Sequence, residues 1–271
     1  MKKTLIFAIT LLLTFITAFS FTACQVTDTQ SDLEYIQQKG KLVVGVTVYK
    51  PMDWQDENGE WVGFDAELAK LFAEEIGVEC QFVVIDWNNK VAEINTKQID
   101  LIWNGMTAGE KLAGSIDFSV SYAENRQVAV VQSQNLELYN TVDKIKNASI
   151  AVENGSAGAI VTESILNAAP TKVTAQVDAL NEVLAGTSNV AIIDYTMAAS
   201  LVGKNQYESL CIVDVNTVSF EREVFAVGLR KNSNVKATLD AFLKAKYADN
   251  TLQQLAEKYQ SVVLNTAALE G

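Results

Sequence analysis

Residues 104–118 read NGMTAGEKLAGSIDF: an amide, a glycine and a hydroxyl, then a second glycine and a charged run that could open a helix. Such a stretch is suited to holding a small polar group against exposed backbone N–H groups, and it contains no arginine. Two other segments carry polar groups in notable places. VENGSAG sets Glu153 and Ser156 just ahead of a helical run, and AIIDY sets Asp194 after four apolar residues. A carboxylate at the end of an apolar strand is hard to read as a solvated face, and once desolvated it needs a cationic partner. Two carboxylates facing one site could exchange protons. Against catalysis, the chain has no histidine, no cysteine cluster and no serine nucleophile beside a base. GSAG lacks the lysine and spacing of a phosphate loop, and DENGEW at 56–61 has too few carboxylates at alternate positions for calcium. No metal and no cofactor are expected.

The elements that must position these groups can be read from periodicity. LEYIQQKG predicts a helix stopped by Gly40, and KLVVGVT a buried strand. AELAKLFAEEIG repeats apolar residues at i, i+3, i+4 and i+7 and ends on Gly77. ECQFVVI, IDLIWN and the stretch through RQVAVV read as strands. A second series follows: strand ASIAVE, a helix opened by GSAG, strand TKVTAQV, helix DALNEVLAG, strand NVAIIDY and helix TMAASLVGK. SLCIVDV and EVFAVGL read as strands, and two helices near NVKATLDAFLKAKYAD and TLQQLAEKYQS close the chain. The alternation predicts α/β architecture with largely parallel sheets. Its two runs, joined near 126–131 and 220–228, predict two lobes with two crossings.

The 271 residues, 49% of them hydrophobic, are enough for a sizeable core, and only two prolines occur. Lysine and arginine number 21 against 33 acidic residues, a net charge of −12, which makes nucleic acid an improbable partner. At the N-terminus, Lys2 and Lys3 precede the apolar run 4–21, a small pair and Cys24. That order reads as an export signal rather than an uncleaved anchor, and Phe21-Thr22-Ala23-Cys24 resembles a bacterial lipobox. The expected organisation is a signal peptide over 1–23, a lipid on Cys24, a polar tether over 24–32, lobe 1 over 33–129 and 225–271, and lobe 2 over 130–224. Without Lys2 and Lys3 the balance is 19 basic to 33 acidic residues, a net of −14. Cys80 and Cys211 sit in apolar, strand-like runs and are expected to be unpaired, small-hydrophobe thiols.

KLVVGVTVYKPMDWQDENGEWVGFDAELAKLFAEEIG, then VVIDWNNKVAEINTKQIDLIWNGMT, then IDFSVSYAENRQVAVV, resembles the polar amino acid-binding proteins of ABC importers. The resemblance spans residues 33–262, including the return crossing EVFAVGLRKNSN. It implies a two-lobe, periplasmic-binding-protein-like fold of the flytrap type (type II), with two crossing strands at the hinge. It also implies a pocket. Tyr49 matches an aromatic that covers the ligand, Met52 its apolar neighbour, and Trp87 the residue facing Tyr49. Asn104, Gly105 and Thr107 match positions that grip the ligand's carboxylate and amino group, with Glu153 and Ser156 across the cleft. Asp194 matches the carboxylate that pairs with an α-ammonium. Trp54 and Trp61 have no pocket counterpart and read as surface or core packing.

Three positions depart from the family pattern. Leu112 stands where an arginine usually clamps the α-carboxylate, and Lys111, one residue earlier, points about 100° away on a helix. Ser121 replaces a proline before the first crossing, and Val46 stands where relatives that take basic or amide side chains often place an aspartate. The ligand is therefore either an ordinary amino acid held by Lys111 and backbone donors, or an amine recognised through its ammonium by Asp194 and Glu153 between aromatic faces. The function implied is a membrane-anchored, monomeric, non-enzymatic receptor that delivers an amino acid or related amine to an ABC permease and its ATPase. A sensor for a signalling partner is the alternative, and a dehydratase-like enzyme on the same fold is the remote one.

Overall fold

A computed structural model describes residues 31–271 except 215–217 and 219; Cys24, the signal peptide and most of the tether lie outside the described residues. The described residues open on the helix Asp32–Lys39. Ser31 caps it by accepting from the Glu34 N–H, and the Glu34 carboxylate accepts from the Ser31 N–H in return. Gly40, in the left-handed region at φ 70°, ends it. The apolar run that follows becomes β1 (Lys41–Val46), buried at every residue after the first.

Among the described residues fourteen strands form two main sheets and a small hairpin, β2 (Trp54–Gln55) with β3 (Trp61–Val62). In the first sheet β1 lies between parallel partners, β4 (Glu79–Val84) and β5 (Leu101–Ile102). β6 (Ile116–Phe118) lies at its other edge, and the strand between β5 and β6 comes from late in the chain. The second sheet runs through β7 (Ala123–Gln132), β8 (Ile150–Glu153), β9 (Thr171–Val173), β10 (Val190–Asp194) and β11 (Leu210–Ile212), with β10 and β8 at its centre. The two sheets are the cores of two lobes.

β7 joins the two lobes. Its residues 127–131 pair antiparallel with β10, while residues 123–126 pair with β12 (Arg222–Phe225). Two residues beyond β12, β13 (Gly228–Arg230) enters the first sheet antiparallel to β5 and β6. β14 (Val263–Leu264) pairs with the start of β7. Two adjacent strands thus carry the chain out and back.

Three expectations about elements need correction. The sheets are mixed rather than largely parallel, because each crossing strand enters its sheet from the side opposite the βα units. EVFAVGL is two strands, β12 and β13, belonging to different sheets. The run TKVTAQV is extended only to Val173; the Ala175 N–H donates to the Asp178 carboxylate at 3.1 Å, and the chain turns into the helix Gln176–Ala185. Trp54 packs edge-on against Tyr259, and Trp61 stacks on Phe82, each at 5.7 Å between ring centres. Cys80 in β4 and Cys211 in β11 are free thiols in different sheets. Among the described residues no helix is long and apolar enough to cross a membrane.

Candidate ligand-binding site

A cavity of about 430 Å³ opens where the loops after β1, β4 and β5 meet the ends of β8, β10 and β12. Ten of the eleven ligand-binding residues expected from the sequence line it: Tyr49, Trp87, Asn104, Gly105, Thr107, Lys111, Leu112, Glu153, Ser156 and Asp194. Met52 does not. Its side chain is fully buried in the first lobe's core, and its carbonyl accepts from the Asp65 N–H at 3.1 Å. An apolar residue in the turn under Tyr49 serves the core, so Met52 leaves the site.

The opening stretch is built more as a frame than as a set of free donors. The Asn104 carbonyl oxygen accepts from the Thr47 N–H and hydroxyl at 2.9 and 2.8 Å. Its amide nitrogen donates to the Thr47 carbonyl and to the buried Asp53 carboxylate. Gly105 lies at φ 55°, and a Cβ there would stand 2.6 Å from Cε1 of Tyr49; glycine is what allows the ring to lie against the backbone. The Gly105 N–H donates to Asp65 Oδ2 at 2.6 Å, and the Tyr122 hydroxyl donates to the same oxygen at 2.8 Å. Burial pushes the Asp65 carboxyl up to about 7. Thr107 forms a bridge with Phe225 and Ala108 donates to the Val224 carbonyl, so the loop is fastened to the returning hinge strand.

Trp87 follows Asp86, whose carboxylate accepts from the Asn88 N–H at 3.0 Å and caps a short turn. The same turn brings in Lys90, absent from the sequence-derived set. Its ammonium donates to the carbonyls of Trp87 and Gly155, 2.9 Å each, and lies 4.8 Å from the Trp87 ring centre. One buried lysine therefore ties the two sides of the cavity together. Burial lowers its pKa to about 8, against the opposing effect of the Glu153 charge.

On the second lobe, Ser156 is a helix cap whose hydroxyl accepts from the Ala159 N–H at 3.1 Å. Gly158 lets that helix approach β10, since a Cβ would stand 2.5 Å from the Ile192 carbonyl oxygen. Asp194 is held by three amides rather than by a cation. Asn125 and Gln127 donate to its Oδ1 and Gln176 to its Oδ2, while the Asp194 N–H donates to Gln176 Oε1 at 2.9 Å. Burial raises its pKa and these hydrogen bonds oppose the rise. Tyr49 is buried beside it; burial first, then the Asp194 charge, lifts the phenol well above its ordinary value.

Two more carboxylates converge on this wall. Glu153 is 2% exposed, and its Oε1 has no hydrogen-bond partner among the described residues. Burial, reinforced by Asp194, pushes it up to about 8. Glu223 on β12 accepts at Oε2 from Thr107 at 3.1 Å, Asn125 at 3.2 Å and Gln127 at 2.9 Å. Burial and Asp194 bring it to about 7.

Lys111 is exposed, and its ammonium reaches Ser164 across the cleft at 3.4 Å. Leu112 is half-buried and packs on the cluster that contains Trp87 and Met106. The sequence reading missed Lys90, Asn125, Gln127, Gln176 and Glu223. A legible signal existed for two of them: Asn125 and Gln127 alternate with the charged Glu124 and Arg126 in β7, which puts both amides on one face of the strand.

A two-lobed α/β body with two crossing strands and a ligand-sized cleft between its lobes defines a solute-binding protein of the flytrap type. The chain belongs to the bacterial extracellular solute-binding proteins, family 3, whose family model matches residues 42–262. It is 27% identical over 240 residues to the L-cystine-binding protein TcyJ of Escherichia coli (strain K12), covering 84% of this chain and 85% of the relative. It is 30% identical, with a TM-score of 0.77, to an amino acid ABC transporter substrate-binding protein from Streptococcus pneumoniae Canada MDR_19A bound to L-arginine. That match covers 87% of this chain and all of the other. An ancestral amino acid-binding protein, AncCDT-1, described as a precursor of cyclohexadienyl dehydratase, matches with 27% identity and a TM-score of 0.77, over 84% of this chain and 99% of that one.

Proposed function

We propose that this protein captures an amino acid or related amine outside the cytoplasmic membrane and delivers it to an ABC permease and its ATPase, without chemical conversion. One observation carries the reading: a cleft of about 430 Å³ between the lobes is lined by the Tyr49 and Trp87 rings and by the buried Asp194 carboxylate beside Tyr49. That volume suits a small molecule rather than a peptide or polymer, and the names of the relatives point the same way. Lobe 1 is taken as 33–129 with 225–271 and lobe 2 as 130–224, the two closing by rotation about β7 and β12. Cys24 carries the lipid that holds the body at the membrane. Catalysis is disfavoured because both Asp194 side-chain oxygens already accept hydrogen bonds from the amides of Asn125, Gln127 and Gln176.

A thermal-shift screen against amino acids, amines and small acids tests the capture. A ligand held at 100 times its dissociation constant should add roughly 2.7 kcal/mol of stability; no shift with any of them would overturn the reading. For the anchor, Cys24→Ala should release the protein from membranes or block its processing. An unchanged membrane fraction with residues 1–23 still attached would contradict a lipid anchor.

A further inference from the structure

We infer that Glu223, on the returning hinge strand, is a ligand-binding residue, and that the pocket takes a small molecule carrying two cationic nitrogens, one held by Asp194 with Glu223 and the other by Glu153. The inference deepens the capture proposed above and rests on it. Its first support is geometric. Asn125 and Gln127 each offer one amide nitrogen to both Asp194 Oδ1 and Glu223 Oε2. Two carboxylate oxygens sharing the same donor atom lie closer together than the sum of those two bonds, so one ammonium can bridge them. Every donor named for this pair is a neutral amide or hydroxyl, which leaves both charges uncompensated.

The second support is independent. Glu153 lines the same cavity at 2% exposure, with Oε1 lacking any partner among the described residues. A buried carboxylate oxygen left unpaired is costly unless something binds it.

The cations around the cavity compensate this wall only in part: the Lys90 charge offsets some of the rise at Glu153. The Lys90 ammonium is engaged by two carbonyls. Lys111 is turned to exposed Ser164. Arg222, mostly exposed, faces Glu124 at 3.8 Å. Glu221 adds a further acid at the rim. Two buried acids and the half-buried Glu223, against one engaged buried lysine, leave room for two positive charges from the ligand. Leu112 offers no carboxylate clamp, so a carboxyl group on the ligand is not required.

Calorimetry on the protein separates the outcomes, with 1,4-diaminobutane, 1,5-diaminopentane, agmatine, L-arginine, L-lysine and L-norleucine as probes. At least one doubly cationic probe should bind, and norleucine, with a single cation, should bind far more weakly. Glu223→Gln and Glu153→Gln should each weaken that probe by roughly tenfold or more without lowering the unfolding temperature. Glu124→Gln, on the outer side of the hinge, should leave binding unchanged. Norleucine binding as tightly as the dications, or Glu223→Gln retaining affinity within a factor of two, would overturn the inference while leaving amino acid or amine capture intact. If no probe and no standard amino acid binds, both fall.

Discussion

Glu153, Asp194 and Glu223 occupy one wall of the cavity, and burial raises all three above ordinary carboxylate values. The direction of the resulting pH dependence follows. For Glu153 and Glu223, a folded-state pKa above the unfolded one adds stability that is fully present below about pH 4, where the unfolded carboxyls also hold protons, and is lost as pH rises through 7 to 8. The ligand-free protein should therefore melt at progressively lower temperature from acid to mildly alkaline pH. A cationic ligand binds the ionised form, so its affinity should rise over the same window and binding should release protons. Calorimetry in two buffers of different ionisation heat measures that release; proton uptake, or affinity falling as pH rises, would contradict the picture. Tyr49, Lys90, Lys111, Arg222 and Glu221 are the other titratable groups lining the cavity; Asp65, beneath Gly105 and raised to about 7, shares the window, and so does Lys90, lowered to about 8. Its deprotonation would remove a nearby positive charge and would also favour a cation. Leu112→Arg probes the opposite side. It should strengthen binding of amino acids with a free carboxylate and weaken binding of decarboxylated amines, and titration of such a pair measures both effects.

At the scale of elements, the loop after β5 depends on a few close fits. Gly105→Ala would place a methyl against the Tyr49 ring from a left-handed backbone, and should cost about 1–3 kcal/mol together with ligand affinity. Chemical denaturation measures the first and titration the second; an unchanged midpoint would mean the loop is slack. Lys90→Met should keep the buried volume but remove the bond to the Gly155 carbonyl, so bound ligand should escape several times faster in a stopped-flow chase. An unchanged off-rate would show that the lysine does not hold the two sides together. Legibility in the sequence follows the same division. Helix ends at Gly40 and Gly77, the buried strand β1 and the polar end of β10 could be read because each rests on local periodicity or on a residue with one conformational use. Glu223, Gln176 and Lys90 could not, because their roles arise from which strand returns beside which loop. The family resemblance places Met52 in the pocket, and local packing in the turn beneath Tyr49 draws it into the core instead. The mixed character of the sheets was hidden for a related reason: strand direction depends on the crossings, and apolar runs carry no direction.

For the whole molecule, the arrangement of β7 beside β12 sets what can move. The two main sheets lie on either side of this pair of strands, and rotation about β7 and β12 is the proposed motion. Lys90 to Gly155 and Lys111 to Ser164 are contacts made across the cavity with its walls together. The central claim is that ligand capture and lobe closure are one event, with the ligand's charge supplying the differential affinity for the closed form. Small-angle scattering from the same sample, without ligand and with a saturating ligand identified by calorimetry, tests it most directly. The account predicts a smaller radius of gyration and a scattering curve matching the closed form when ligand is present. Superimposable curves with the ligand demonstrably bound would contradict it.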